Sequence, residues 1–229
     1  MRVECFGQTR PQDGRQHTEN QDAYVLGHSP VPWAGLMDGA GNARTVARRA
    51  GVLLEGWFRK TSLAQVLRDE AWVAMARRLD LALMGGRETT LVAAAVVDHQ
   101  VIGVAVGDSR AYLVPLEGLV RLVTAEASRH RLGSGEIRPF VFRERLQPRD
   151  VLLLLSDGAW GPLGSSGLDR AVRSALSRHF SEMSEALLDA ASRHGCGDDM
   201  TAVTLRILAG QSRRVLRSGP GPLMTGGVQ

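Results

Sequence analysis

The sequence predicts an α+β chain built mainly of antiparallel sheet. Three observations carry that reading. Eight short apolar runs rich in Val, Ile, Leu and Tyr have the length and composition of strands. Four longer stretches repeat apolar residues every three or four positions, as helices do. The helices come as consecutive pairs between groups of strands, so the regular strand–helix alternation of a doubly wound parallel sheet is missing.

In chain order, the first predicted strands are Arg2 to Phe6 and Trp33 to Met37. A helix pair follows, from Ala43 to Lys60 and from Leu63 to Met84. Leu63, Val66, Leu67, Ala71, Ala74, Met75, Leu79 and Ala82 share one face of the second helix, and Thr61-Ser62 offers a hydroxyl N-cap before it. Trp57 and Trp72 fall on helix faces and read as core or helix-contact residues. Five strands come next: Thr89–Val97, Val101–Val106, Ala111–Val114, Leu119–Val123 and Val151–Leu155, with Gly133 to Pro139 read as a surface loop. Leu168 to Phe180 and Glu182 to His194 form the second helix pair, before a last strand from Thr201 to Leu208. One folded domain is expected over 1–209. Residues 210–229, with five glycines, two prolines and little apolar pattern, are expected to form a disordered basic tail.

Composition removes several classes of function. At 229 residues, 44% hydrophobic and 23% charged, the chain is an ordinary soluble globular protein rather than a disordered, collagen-like or disulfide-scaffold one. Its aliphatic runs, such as Leu91 to Val97, are too short to cross a bilayer, and no basic segment followed by an apolar one opens the chain. Cys5 and Cys196 are too few for a disulfide framework or a metal knuckle, so a cytoplasmic protein with free thiols is expected. The net charge of +4 invites a nucleic-acid reading, but Arg213, Arg214 and Arg217 lie in the tail, which has no acid. The remaining residues are within one charge of neutral, so a nucleic-acid footprint on the domain is not expected.

Several aspartates stand at strand ends beside glycine. Asp38 closes Trp33–Met37 and precedes Gly39-Ala40-Gly41. Asp108 follows Val104–Gly107, Asp157 precedes Gly158, and Asp198-Asp199 follow Gly197. A lone Asp-Gly is usually a turn. A carboxylate at the edge of a buried strand is costly unless it is paired or holds a metal. If neighbouring strand ends bring these acids together, they make an all-oxygen site suited to Mg²⁺ or Mn²⁺.

Six motifs in order then resemble the metal-dependent protein phosphatases of the PP2C type, also called the PPM family, in a short bacterial form. They are Asn20-Gln21-Asp22-Ala23, Leu36-Met37-Asp38-Gly39-Ala40-Gly41, Thr89-Thr90-Leu91-Val92, Val106-Gly107-Asp108-Ser109-Arg110, Leu155-Ser156-Asp157-Gly158 and Gly197-Asp198-Asp199-Met200-Thr201. The resemblance spans roughly residues 3 to 208. It implies a sandwich of two antiparallel sheets flanked by helix pairs. It also implies hydrolysis of phosphoserine and phosphothreonine in proteins by water activated between two Mn²⁺ or Mg²⁺ ions.

By resemblance, Asp38 bridges the two cations, the Gly39 carbonyl adds to one, and Asp157 and Asp198 bind the other. Asp22 holds a bound water, and Asp108 shares a weaker third cation with Asp157. Catalytic roles fall on Asp22, Asp38 and Asp157. The implied partners are phosphoproteins, targets of a serine/threonine kinase, met by a monomeric enzyme without membrane insertion.

The sequence departs from the family at the usual phosphate-clamping arginine. That position is His17, with Arg15 nearby, so Arg15 and His17 become the substrate-binding candidates, with Arg10 a further substitute for the clamp. Ala40 stands where some members carry a proton-donating histidine, and the segment between Val123 and Val151 is short. These departures motivate an alternative, a pseudophosphatase that binds phosphoproteins without turnover. The retained acids speak against it.

Overall fold

The computed structural model describes residues 2–12, 20–40 and 44–208. Among them are ten strands: β1 (Arg2–Arg10), β2 (Ala23–Gly27), β3 (Trp33–Met37), β4 (Leu91–Val97), β5 (Gln100–Val106), β6 (Arg110–Val114), β7 (Arg121–Leu122), β8 (Phe140–Arg145), β9 (Val151–Leu155) and β10 (Met200–Leu208). The α-helices are α1 (Arg44–Lys60), α2 (Leu63–Val66), α3 (Asp69–Leu83), α4 (Asp157–Trp160), α5 (Gly164–Leu176) and α6 (Met183–Arg193). One sheet runs β1-β10-β9-β6-β7 and the other β2-β3-β4-β5-β8. Every pairing is antiparallel.

The apolar runs are continuous because the central strands are covered on both faces. Along β4, Leu91, Ala93 and Ala95 pack under α1 and α3, while Val92, Ala94 and Val96 face the other sheet. Along β9, Val151, Leu153 and Leu155 lie under α5 and α6, while Leu152 and Leu154 face inward. The result is four layers, helix, sheet, sheet and helix, with the inter-sheet core built from Leu36, Val92, Leu154, Val203 and their neighbours. Trp72 is fully buried beside Phe58, which stacks on Trp33 at 4.1 Å between ring centroids.

The expected helix from Leu63 to Met84 is two helices. Ser62 and Gln65 form a capping box on α2, and Arg68 is extended, which ends the first turn and restarts the chain as α3. The Trp72 indole donates to the Val66 carbonyl at 2.9 Å and fixes the break. Two strands went unread, β2 and β8. Both lie at an edge of their sheet and are only partly buried, so neither shows a clean apolar run. The helix expected to begin at Leu168 begins at Gly164, and Phe180–Glu182 is a 3₁₀ turn. The expected tail lies outside the described residues.

Candidate active site

The acids meet at one rim of the sandwich because both sheets end there. The second sheet brings Asp38 at the end of β3, Asp108 after β5 and Asp22 just before β2. The first sheet brings Asp157 at the start of α4, directly after β9, and the Asp198-Asp199 pair before β10. Carboxylate oxygens of Asp38, Asp108 and Asp157 lie within 4.8 Å of one another.

Each acid is held by its backbone. The Asp38 N–H donates to Thr90 Oγ1 at 2.9 Å, and the Asp38 carbonyl accepts from the Thr90 N–H at 2.8 Å and from Thr89 Oγ1 at 2.9 Å. Thr90 Oγ1 also meets Ser109 Oγ at 2.7 Å, which ties the Asp108 turn to the Asp38 turn. Gly107 is required between them: its φ is +94°, and a Cβ there would come within 2.8 Å of Thr90. Trp160 donates its indole N–H to the Asp108 carbonyl at 3.2 Å and lies under the Arg110 guanidinium, so this ring supports the Asp108 turn.

Asp198 and Asp199 divide their work. Asp199 is buried and accepts the Gln12 and Gln21 backbone N–H groups at 2.7 Å each, fastening the chain on either side of residues 13–19 to the start of β10. Asp198 is exposed on the rim, where its charge acts on Asp157. Cys196 is buried, and its thiol donates to the Gly158 and Asp198 carbonyls at 3.1 Å, a structural contact that ties this loop to α4.

The electrostatics are those of a site built to hold cations. Burial, and then the charges of Asp22 and Asp157, push Asp38 up to about 9. Burial raises Asp22 to about 7, against hydrogen bonds from Thr201 and Ser156. Asp157 is raised by burial too, with Asp108 and Asp198 adding to it. Asp22 Oδ2 and Asp38 Oδ2 are buried and have no hydrogen-bond partner among the described residues. Two unpartnered buried carboxylate oxygens cost on the order of 1–3 kcal/mol each. The donor set is all oxygen, hard and clustered, and it fits Mg²⁺ or Mn²⁺.

Sequence reading missed Arg131. Its Nη2 donates to both oxygens of Asp108 at 3.1 and 3.2 Å. Burial works against its charge, but Asp108, Asp38 and Asp157 outweigh that and raise its pKa. Asp80, a buried acid on α3, was also missed; its Oδ1 accepts the Gly133 and Gly135 N–H groups at 2.7 and 3.2 Å. Arg10 pairs with Asp189 at 2.9 Å. Arg15 and His17 lie outside the described residues.

No protein-family model matches the chain. The serine/threonine phosphatase Stp of Listeria innocua is 26% identical, over 82% of this chain and 90% of its own. That of a Listeria monocytogenes strain is 29% identical over 66% of this chain and 67% of its own. A bacterial serine phosphatase crystal structure superposes with a TM-score of 0.79 at 23% identity, covering 90% of this chain and 99% of the other. Stp1 of Staphylococcus aureus gives 0.78 at 20% over 91% and 96%, and PstP/Ppp of Mycobacterium tuberculosis 0.74 at 19% over 90% and 99%. The chain is similar to bacterial serine/threonine phosphatases and has the PP2C-type (PPM) fold. The two five-stranded antiparallel sheets and their helix layers are the PP2C-type arrangement.

Proposed function

We propose that this chain is a divalent-cation-dependent phosphatase of phosphoserine and phosphothreonine in proteins. The observation that carries the reading is the pair of buried, unpartnered oxygens of Asp22 and Asp38, set beside Asp157 and Asp108. A binding module without turnover would gain nothing from keeping them.

Asp38, Asp157 and Asp198, with the Gly39 carbonyl, are the groups proposed to hold two Mn²⁺ or Mg²⁺ ions, and Asp22 to orient water beside them. When bound, such ions lower the pKa of water and offset charge on the transferring phosphoryl oxygens. The protein's own part is positional. Thr89 and Thr90 fix the Asp38 turn, Ser156 and Thr201 bridge the starts of α4 and β10, and Asn20 donates to Thr9 while accepting the Asp22 N–H at 2.9 Å. Arg15 and His17, just before Asp22 in sequence, are proposed to receive the substrate phosphate.

In this reading one catalytic domain over 1–209, with the tail 210–229, acts as a cytoplasmic monomer opposite a serine/threonine kinase. The names of the Listeria relatives support the phosphatase part of that reading. No described helix is long and apolar enough to cross a membrane. The test is hydrolysis of a phosphothreonine peptide with Mn²⁺, Mg²⁺ or EDTA, beside Asp38→Asn and Asp157→Asn. Turnover should require the cation and fall on the order of a hundredfold or more in both variants. A folded protein inactive with either ion would favour phosphoprotein binding without catalysis.

A further inference from the structure

We propose that Arg131 is a permanent cation of this centre: it occupies Asp108 and leaves the chain with sites for two divalent ions rather than three. The inference rests on the phosphatase reading of the acid cluster and concerns how that cluster's charge is met. Asp108 lies within reach of Asp38 and Asp157, so by geometry it could share an ion with them. Both of its oxygens are instead taken by one guanidinium nitrogen, at 3.1 and 3.2 Å. A charge-assisted pair of this kind, about one-quarter to one-third exposed on either side, is stronger than an open surface ion pair.

The guanidinium is built into the site from behind. Leu132, the next residue, is fully buried and exchanges both backbone hydrogen bonds with Thr89, at 3.1 and 2.8 Å. Thr89 is the residue whose hydroxyl holds the Asp38 carbonyl, and it also bridges to Gly39. On the other side of Leu132, the loop turns through Gly133 and Gly135, both at positive φ, with their N–H groups on the buried Asp80 carboxylate. Arg131 is thus anchored to the same strand start that positions Asp38. Two divalent ions together with this guanidinium would match the charge of Asp22, Asp38, Asp108, Asp157 and Asp198, Asp199 being held by the Gln12 and Gln21 N–H groups. A third ion would have to displace a fixed positive charge from Asp108.

Counting bound ions tests this without relying on activity. Mn²⁺ is titrated into the full chain by calorimetry, with free Mn²⁺ followed by electron paramagnetic resonance, for wild type, Arg131→Ala, Arg131→Lys and Asp108→Asn. The expected counts are two for wild type, Arg131→Lys and Asp108→Asn, and three for Arg131→Ala, the additional ion binding more weakly than the first two. If Arg131→Ala fails to fold, Arg131→Gln, which keeps the bulk and loses the charge, carries the same expectation. Three ions in wild type, a count of two in the neutral Arg131 variant, or a fall to one in Asp108→Asn overturns the proposal alone. No ion bound by wild type overturns the phosphatase reading together with it.

Discussion

Replacing Asp38 by asparagine should make the cation-free protein more stable, and the gain should grow with pH. Burial and the neighbouring acids push the Asp38 carboxyl up to about 9, far above its ordinary range. Between about pH 4 and pH 9 the folded chain therefore keeps a proton that the unfolded chain has released. The native state binds more protons, so wild-type stability falls as pH rises through that window. The amide variant has no such proton to lose. The two stability curves should part from about pH 4 by at most ~1.4 kcal/mol per pH unit. By pH 7 that bound is about 4 kcal/mol. Coupling to Asp22 and Asp157, and the offsetting charge of Arg131, reduce the expected gap to on the order of 2 kcal/mol, or about 4–8 °C in Tm for a chain of this length. Thermal unfolding in EDTA at pH 5 and pH 7 measures it.

Adding Mn²⁺ should reverse the ranking. An ion at a hundred times its Kd adds about 2.7 kcal/mol to wild type, and the variant should gain little. The reasoning is refuted if wild type is at least as stable as Asp38→Asn in EDTA at pH 7, with no widening of the gap from pH 5.

Three further outcomes follow from the packing. Gly158→Ala places a Cβ 2.1 Å from the Asp199 carbonyl, and should cost about 1–3 kcal/mol in urea unfolding and weaken Mn²⁺ binding by displacing the Asp198 loop. Asp80→Ala removes the acceptor of the Gly133 and Gly135 N–H groups; a loss of roughly 2–4 kcal/mol, read by the same unfolding assay, is expected. Cys5, its thiol pushed up to about 12 by burial, should react with a thiol reagent at pH 8 at least about a hundredfold more slowly in the folded Cys196→Ser variant than in denaturant.

Much of the fold and most of the acid set were legible because each rests on a local signal. A strand buried on both faces must be a short continuous apolar run, as β4 and β9 are. An acid closing such a run beside glycine has few structural reasons to be there, and Asp38, Asp108 and Asp157 converge as that reasoning expected. The edge strands escaped because partial burial leaves no clean pattern: β8 carries Arg143, Glu144 and Arg145 in succession. Arg131 had no local signal at all. It lies 23 residues from Asp108 in sequence, and the two meet only because Leu132 pairs with Thr89. Asp80 did leave a trace, an acid on the same helix face as the buried Ala76, Leu79 and Leu83, but that trace names no partner.

The carboxylates are drawn from both sheets, and this makes the rim a gauge of how the two sheets sit on each other. Asp38 and Asp108 ride on one layer and Asp157 and Asp198 on the other, so the spacing between the two sets is set by the side chains sandwiched between the layers. Trimming a methylene from Leu36 or Leu154, neither of which belongs to the acid set, would let the layers settle closer and shift the two halves of the cluster against each other. On the proposed reading, ion affinity would then be partly a property of the hydrophobic filling, and bound ions would act in return as a clasp that stiffens one end of the sandwich.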